Sequence, residues 1–301
     1  STKRIEEWLN HWEDQCYVAF SGGKDSTVLL DLVWKVNPRI PAVFVDTGLE
    51  YPEIREFVKS FGDRVVWLKP KMPFNQVIEK YGYPVVSKKV ADYVGRCQMT
   101  KNPDVLRRHL NGENLDGSPS PMSKIPSKWQ HLINAPFKVS GKCCDVMKKE
   151  PLKRYEKETG RVGIIGVRAE ESLQRWKEYV QHGCNAFDLK HPLGKPLSFW
   201  TEQHVLEYVS KCRTYKGVCS VYGAVRELPD GTLRFEGEQG TGCMFCKFGV
   251  HLEKGSNRFQ RMYHSHPKQW NYCINQLGCG KVLDYIGVPY LPEGVTETKD
   301  I

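Results

Sequence analysis

The sequence predicts an α/β protein with a doubly wound, mostly parallel sheet, a polar insertion and a helical C-terminal extension. Three observations predict it. Short apolar runs of strand length alternate with segments of helical length, and the runs span residues 17–20, 41–46, 65–68 and 161–167. The first run enters its helix through a turn with two adjacent glycines. Of 301 residues, 40% are hydrophobic, which is enough for a core and excludes global disorder.

Charge and composition indicate which class of partner the protein binds and in which compartment we expect it. Lys and Arg number 44 against 35 Asp and Glu, and the net charge of +9 suits nucleotides, sulfated nucleotides or nucleic acid. The apolar runs are shorter than the roughly 20 residues of a membrane helix. Lys3, Arg4 and Glu7 stand where a signal peptide needs apolar residues. We therefore expect a cytoplasmic protein, in which 11 cysteines favour metal or redox chemistry over disulfides.

The first element is an amphipathic helix over residues 1–14. Ile5, Trp8 and Leu9 recur at helical spacing, and Trp12 continues the same face. We expect this helix, within an N-terminal segment of residues 1–16, to pack beside the sheet.

The turn of residues 21–26, Ser-Gly-Gly-Lys-Asp-Ser, predicts an anion site. Glycine tolerates positive φ and lets a ligand approach the backbone closely. A helix over residues 27–36 follows at once, so its unpaired N–H groups and the positive end of its dipole point at the turn. An ordinary capped turn is the alternative, but capping does not require Lys24 and Asp25 as well. A Walker loop is excluded, because its glycines stand further apart.

This hexapeptide resembles the PP-loop of the adenine-nucleotide α-hydrolase-like superfamily. The resemblance implies that the loop binds ATP or a related adenylyl nucleotide, with Mg²⁺ as the accompanying ion. Lys24 and Asp25 are then catalytic candidates. The nucleotide-binding candidates of the loop are Ser21, Gly22, Gly23, Lys24, Asp25 and Ser26.

The second strand ends in Asp46, Thr47 and Gly48, and a helix opens near Pro52. Because the carboxyl ends of strands form the ligand crevice of a doubly wound sheet, we expect this segment beside the PP-loop. A capped turn would explain the residue types alone. The segment from Asp46 to Glu53 nevertheless resembles one in the phosphoadenosine phosphosulfate (PAPS) reductase family that helps to hold the nucleotide. Asp46, Thr47 and Gly48 are therefore nucleotide-binding candidates.

The middle of the chain predicts a third strand over residues 65–68 and a helix over residues 74–81. The basic loop of residues 84–89 either faces the nucleotide or is simply solvated. Residues 102–142 are polar and rich in turn formers, which predicts an insertion or a lid.

A late strand of the sheet leads into Arg168, with Arg175 seven residues later. This segment resembles a GIRxxQSxxR segment of the PAPS reductase family, whose arginines face the phosphate and sulfate groups of the substrate. The planar guanidinium fork suits that role. Arg168 is thus a catalytic candidate, and both arginines are binding candidates. Glu171 stands where sulfonucleotide reductases carry Gln, and a carboxylate there would repel a sulfate.

The step into the next helix is predicted to be structural. Residues 196–202, Pro-Leu-Ser-Phe-Trp-Thr-Glu, resemble a family segment that leads into a helix. Thr201 is the predicted N-cap and residues 204–211 the helix body.

Four cysteines form a second constellation. Cys143 and Cys144 are adjacent, and Cys243 and Cys246 form a Cys-x-x-Cys turn. Four thiolates suit zinc or an iron–sulfur cluster. Adjacent residues reach one tetrahedral zinc ion awkwardly, which favours the larger cluster. The two segments together resemble the motif of adenosine phosphosulfate (APS) reductases, which implies a [4Fe–4S] cluster on these four cysteines. Zinc is the runner-up, and Cys184 is a rival fourth ligand.

The remaining segments complete the predicted organisation. Residues 17–248 form the PP-loop domain and residues 249–301 the helical extension. Phe259, Met262, Tyr263 and Trp270 give the extension an apolar helical face. The cysteines without partner spacing are predicted to be small buried side chains: Cys16, Cys97, Cys212 and Cys219.

Three functions stay open on these residues. The first is an ATP-using sulfur-transfer enzyme, as in DNA phosphorothioation or tRNA thiolation, in which the intact PP-loop and Lys24 release pyrophosphate. Nucleic acid or a sulfur-donor protein would be its partner. The second is an APS or PAPS reductase that releases sulfite, with Cys279 as nucleophile, although Cys279 lacks the preceding glutamate of the family's segment. The third is a nucleotide- or redox-sensing regulatory protein.

Overall fold

The computed structural model describes residues 1–211 and 214–295. Within them the helices are α1 (Thr2–His11), α2 (Lys24–Val36), α3 (Pro52–Lys59), α4 (Phe74–Tyr81), α5 (Lys88–Met99), α6 (Pro103–Leu110), α7 (Glu150–Thr159), α8 (Leu173–His182), α9 (Glu202–Lys211), α10 (Arg258–Ser265), α11 (Pro267–Asn271) and α12 (Cys279–Tyr285). The strands are β1 (Cys16–Ala19), β2 (Ala42–Val45), β3 (Val65–Leu68), β4 (Val85–Val86), β5 (Val162–Ile165), β6 (Asn185–Ala186), β7 (Leu193–Gly194), β8 (Val225–Glu227), β9 (Leu233–Phe235) and β10 (Lys247–Phe248). None of the described helices has both the length and the apolar character to cross a membrane.

The central sheet of the described chain has the strand order β3-β2-β1-β5-β7-β6. Its neighbouring strands are parallel, apart from the antiparallel pair β6 and β7. Val18 in β1 lies opposite Ala42 on one side and Ile164 on the other. The predicted α/β class with a doubly wound, mostly parallel sheet is therefore confirmed.

The strand order creates a topological switch point between β1 and β5. The chain runs outward from β1 through β2 to β3 and later returns to the opposite side of β1 with β5. In open α/β sheets, ligands bind outside the carboxyl ends of the strands at such a point. The turns after β1 and β5, which carry the predicted PP-loop and Arg168, begin there.

Helix α2 begins earlier than the sequence predicts. Gly23 is its N-cap residue, and Lys24 starts the helix, three residues before the predicted start at Thr27. The Ser26 and Thr27 hydroxyls donate to the carbonyl of Gly23 at 2.9 and 3.0 Å. These bonds fold the second half of the loop into the first helical turn, so Lys24 and Asp25 are helical residues.

The chain divides into two compact units. The sheet unit comprises Ser1–Pro70 and Glu150–Gly242, and the cysteine unit comprises Lys71–Lys149 and the residues from Cys243 on. The predicted domain bounds, residues 17–248 and 249–301, stay predictions.

In the sheet unit, α1 buries the apolar face that the sequence predicts. Ile5, Trp8 and Leu9 are each at most 2% exposed. The helix ends at His11, before the predicted end at Asp14, because Glu13 and Asp14 take positive φ values of 47° and 62°. A helix cannot continue through such residues.

In the cysteine unit, the predicted insertion of residues 102–142 contains ordered structure. It holds α6 and two 3₁₀ turns, Pro121–Ser123 and Ser127–Asn134. Ile125 and Leu132 are fully buried, so the segment contributes to the core of this unit. Its role as a lid stays a prediction. The apolar face of the C-terminal extension is confirmed, because its four predicted side chains are buried: Phe259, Met262, Tyr263 and Trp270.

Gly22 is expected to tolerate no side chain. Its φ is +72°, and a Cβ there would lie 2.9 Å from the Cγ2 atoms of both Ile54 and Val58 on α3. Gly62 has φ +61° with no heavy atom within 4 Å of a built Cβ, so it isolates the backbone strain. We expect Gly22→Ala to lower the free energy of unfolding by about 1–3 kcal/mol more than Gly62→Ala, measured by urea denaturation. Equal losses would contradict the steric argument.

Candidate functional site

The PP-loop lies against the segment that follows β5. A Cβ on Gly166 would lie 2.9 Å from the carbonyl oxygen of Asp25, so only glycine permits this approach. Arg168 follows two residues later and reaches the first turn of α2. On the loop itself, the Ser21 and Ser26 hydroxyls lie 3.0 Å apart and hold its two ends together.

Lys24 directs a buried ammonium group into this site. The residue is 5% exposed. Its Nζ donates to the carbonyl of Gln239 at 2.7 Å and lies 3.2 Å from Oε1 of Glu202. Asp25 Oδ2 lies 3.7 Å from the same nitrogen. The ammonium is therefore fixed by one carbonyl and two carboxylates, as a buried charge requires.

The backbone of Lys24 is also occupied. Its N–H donates to the Tyr222 hydroxyl at 2.9 Å, and that hydroxyl lies 2.6 Å from Oγ1 of Thr241. Burial raises the pKa of Tyr222 to about 12, so the phenol stays neutral. A helix N-terminal N–H that would suit an anion is thus satisfied by a hydroxyl of this chain.

Arg168 is the second buried cation of the site and is 5% exposed. Its Nη1 lies 3.1 Å from Oδ1 of Asp25, and its Nη2 lies 2.5 Å from Oε2 of Glu202. Burial lowers the pKa of Arg168, but the carboxylates of Asp25 and Glu202 outweigh it and the net shift is upward. Its Nε and Nη1 are buried and form no hydrogen bond, although Nη1 lies in the ion pair with Asp25 and Nε lies 3.7 Å from Oε1 of Glu170. Buried donors without a hydrogen bond fit an anionic ligand.

The Asp25 carboxylate is an anionic partner of both buried cations. Burial raises its pKa, Lys24 and Arg168 lower it, Glu202 raises it again, and the net shift is upward. Its Oδ1 is buried without a hydrogen-bond partner. Asp25 therefore contributes a negative charge to this site, although one of its carboxylate oxygens makes no hydrogen bond there.

The three candidates after β2 form a tight turn of their own. Arg55 donates to Oδ2 of Asp46 at 2.8 Å, and the N–H of Gly48 donates to Oδ1 at 3.2 Å. The Thr47 hydroxyl donates to Glu50 at 2.6 Å. Because β2 is the neighbour of β1, this turn lies at the same edge of the sheet as the PP-loop.

Arg175 and Glu171 pair with each other. They form an ion pair between side chains four residues apart, and Glu171 Oε1 accepts from the backbone N–H of Arg168 at 2.7 Å. The carboxylate that departs from the family's Gln is therefore used as a cap. Among the described residues, no hydrogen bond or ion pair joins Arg175 to Lys24 or Arg168.

Glu202 is the functional residue that the sequence missed. The predicted cap is confirmed, since the N–H of His204 donates to Oγ1 of Thr201 at 3.2 Å. Glu202 follows as the first residue of α9 and bridges Lys24 and Arg168. An acidic first-turn residue is ordinary for a helix, so the pattern alone carries no signal for this role.

The two cysteine segments are both anchored to one stretch of the cysteine unit. The N–H of Tyr83 donates to the carbonyl of Lys138 at 2.8 Å, and the N–H of Ser140 donates back at 3.1 Å. Immediately afterwards, β4 pairs in parallel with β10. Cys143 follows Ser140, the partner of Tyr83, by three residues. Cys246 directly precedes β10, the partner of β4.

The four predicted ligands are electrostatic neighbours. Burial raises the pKa of the Cys143 thiol, and the thiols of Cys243, Cys144 and Cys246 raise it further. Burial and Cys243 also raise the pKa of Cys144, against the lowering effect of Lys148. Four neighbouring thiols are the donor set that an iron–sulfur cluster takes. In the part of the chain that the structure describes, no three His, Cys, Asp or Glu side chains form a group that could hold a metal ion.

The rival ligand Cys184 belongs to the sheet unit. Burial raises its pKa, and the charged groups that act on it are Arg4, the N-terminus and Glu7. Three of the cysteines predicted as small buried side chains are buried: Cys16, Cys97 and Cys219. Cys212 lies outside the described residues.

Cys279 is part of a buried group that the sequence did not predict. The thiol is 0% exposed at the start of α12. A hydrogen bond from Cys273 lowers its pKa, burial opposes this, and Lys247 lowers it further. Lys247 is itself 0% exposed, with its Nζ 5.3 Å from the centre of the Tyr83 ring. The arrangement favours a thiolate paired with an ammonium.

A glycine-lysine loop at the switch point of a parallel sheet, with a second buried cation beside it, is the arrangement expected of an α/β protein of the PP-loop class. The model of the phosphoadenosine phosphosulfate reductase domain matches residues 15–116 and 88–222. The chain therefore belongs to the PAPS reductase family.

Individual relatives are more distant. Two uncharacterized proteins of Methanocaldococcus jannaschii match: MJ0973 at 35% identity over 104 residues (33% of this chain, 25% of that protein) and MJ0066 at 24% over 269 residues (86% and 41%). This chain spans less than half the length of either. The adenosine 5'-phosphosulfate reductase of Pseudomonas aeruginosa is 28% identical over 250 residues, covering 79% of this chain and 68% of that protein.

Proposed function

We propose that the chain is an enzyme of sulfur metabolism that binds APS or PAPS and reduces its sulfate group to sulfite. One observation carries the proposal: Lys24 and Arg168 are buried together at the switch point, and two buried donors of Arg168, Nε and Nη1, form no hydrogen bond. A phosphosulfate offers oxygens for both cations. The similarity to an APS reductase supports this substrate over ATP.

Reduction of sulfate to sulfite takes two electrons, which two thiols supply when they form a disulfide. Cys279 is the proposed nucleophile: its thiolate would attack the sulfate sulfur and displace the adenosine phosphate as the S–O bond breaks, and a donor thiol would then release sulfite and form the disulfide. The lowered pKa of Cys279 supports a thiolate. Since the side chain is 0% exposed, attack on a nucleotide requires that α12 expose it during turnover.

The cofactor proposed for the cysteine unit is a [4Fe–4S] cluster, with zinc as the runner-up. Cys143, Cys144, Cys243 and Cys246 would hold it, and the upward effect of the other three thiols on the pKa of Cys143 supports this set. A bound cluster supplies one-electron chemistry and a strong local field. Lys88, which also acts on Cys144, ion-pairs with Asp145 at 2.7 Å, so this residue of the basic segment 84–89 acts within the cysteine unit.

The second candidate is cleavage of ATP to AMP and pyrophosphate for sulfur transfer. The observation that favours it is the intact loop, in which Lys24 is placed for a β or γ phosphate with Mg²⁺. Nucleic acid or a sulfur-donor protein would then accept or supply the sulfur. A regulatory sensor of nucleotide or redox state is the remaining alternative.

The test compares two products from the anaerobically purified chain. Sulfite is measured from APS and PAPS with a thiol donor, and pyrophosphate is measured from ATP with Mg²⁺. We expect sulfite, reduced about 10²–10³-fold by Lys24→Ala, since a lost electrostatic contact to the reacting group costs that much. Lys59→Ala removes an exposed lysine at the end of α3 and should change nothing. Release of pyrophosphate without sulfite would favour the second candidate. If the chain releases neither product, a regulatory sensor is favoured.

A further inference from the structure

We infer that Glu202 is a built-in substitute for the anionic group of the nucleotide: it occupies the space between Lys24 and Arg168 and must leave before a ligand binds there. The inference rests on the proposed function in taking these two cations as the anion site. It adds a residue that sets nucleotide affinity.

The contacts of Glu202 are those of a bound anion. One carboxylate oxygen lies 3.2 Å from Nζ of Lys24, and the other lies 2.5 Å from Nη2 of Arg168. A carboxylate presents two oxygens to a guanidinium as a phosphate or a sulfate does. The side chain thus holds both cations through the atoms that a ligand would use.

The difference in side-chain exposure distinguishes the two fixed cations, Lys24 and Arg168, from the movable carboxylate of Glu202. The side chains of Lys24 and Arg168 are 7% and 6% exposed, whereas that of Glu202 is 35% exposed. Buried cations need a counter-charge when no ligand is present. A half-exposed carboxylate at the first residue of a helix can supply it and still turn outward into water.

The charge balance explains why Glu202 must leave. Lys24 and Arg168 bring two positive charges, and Asp25, Glu170 and Glu202 bring three negative ones at 2.5–3.7 Å. An incoming phosphate or sulfate therefore meets a site with an excess of negative charge, in which Nη2 of Arg168 is already engaged by Glu202. Withdrawal of Glu202 removes one of these negative charges and frees the Arg168 nitrogen.

The test uses Glu202→Gln, which keeps the shape and removes the charge. Glu207→Gln is the matched control, because it removes one charge from the same helix, where Glu207 pairs with Lys211. Dissociation constants for APS and for ATP are measured by calorimetry on the full chain. We expect Glu202→Gln to bind at least one of them about tenfold more tightly than the unaltered protein, a difference of about 1.4 kcal/mol. The control should stay within about twofold of it.

Thermal unfolding supplies a second readout. Without nucleotide, Glu202→Gln should unfold at a lower temperature than the control, because the two buried cations lose one of their counter-charges. With nucleotide, its Tm should rise further than that of the unaltered protein, since tighter binding stabilises the folded state more. Should this variant fail to fold, Glu202→Asp keeps the charge but shortens its reach, and it should also bind more tightly than the unaltered protein.

The outcomes separate this inference from the proposed function. Unchanged or weaker binding by Glu202→Gln, while the unaltered protein releases sulfite, overturns the inference alone. Tighter binding without sulfite release supports the inference and removes the reductase. Absence of binding by every form overturns both, because the Lys24–Arg168 pair is then no anion site.

Discussion

Arg168→Met is expected to destabilise the sheet unit and to abolish nucleotide binding. Arg168 is 5% exposed and faces the carboxylates of Asp25 at 3.1 Å and Glu202 at 2.5 Å. Removal of one partner from a buried ion pair costs about 3–5 kcal/mol, because the remaining charge is left unpaired. Since Glu202 can turn into water, we expect a loss near the lower end of that range, measured by urea denaturation.

Arg175→Met is the matched control for this variant. Arg175 stands seven residues later, its side chain is 38% exposed, and it pairs with Glu171. Exposed ion pairs contribute about 0–1 kcal/mol, so this substitution should change stability and affinity little. Equal effects of both substitutions would contradict the assignment of the buried site to Arg168.

The double variant Arg168→Met/Glu202→Gln separates charge from packing. If the loss in Arg168→Met comes from an unpaired carboxylate, neutralising Glu202 should recover part of it. Residues in contact show such coupling, typically about 0.5–3 kcal/mol in a double-mutant cycle. Additive losses would instead mean that the methionine fails to pack.

The sequence predicts four of the six strands of the central sheet and the loop at its switch point, but it does not predict β6 and β7. The apolar runs and the Gly22-Gly23 turn are local signals, and parallel pairing of strands that alternate with helices follows from them. The start of α2 was missed by three residues. Lys24 and Asp25 have no strong preference for a loop, and the helix extended to Gly23 because Ser26 and Thr27 hydroxyls bond back to it.

The partners of Lys24 could not be predicted. Tyr222 and Gln239 stand about 200 positions further along the chain, and neither belongs to a recognisable pattern. Glu202 resembles any acidic residue at a helix start. What brings these groups to Lys24 is the packing of loops over the sheet edge, and hydrophobic periodicity carries no information about that.

The cysteine unit shows the same division. The sequence predicts that two distant cysteine pairs act together, and in the structure the thiols of Cys243 and Cys246 raise the pKa of Cys143. The two cysteine segments are joined by the pairing of β4 with β10. This pairing is two residues long and leaves no periodic pattern in the sequence. Burial of Lys247 was equally unpredictable, because lysine is almost never fully buried without a partner.

Cys243→Ser is expected to remove nearly all iron from anaerobically purified protein. Cys243 raises the pKa of both Cys143 and Cys144, so it acts on two of the other three predicted ligands. Thiolates are the ligands of iron–sulfur clusters, and a serine hydroxyl is a poor replacement. Iron and sulfide analysis, with the visible absorbance of the cluster, measures the loss.

Two further serine variants give this loss its meaning. Cys219→Ser changes a buried cysteine of the sheet unit and should keep the full iron content. Comparison of Cys143→Ser with Cys184→Ser then decides the fourth ligand. We expect only Cys143→Ser to lose iron, because three other thiols act on the pKa of Cys143, whereas Arg4 and Glu7 act on that of Cys184. Zinc in place of iron, lost from the same variants, would keep the ligand set and replace the cluster by a single ion. Iron that survives Cys243→Ser would remove these cysteines from the metal site altogether.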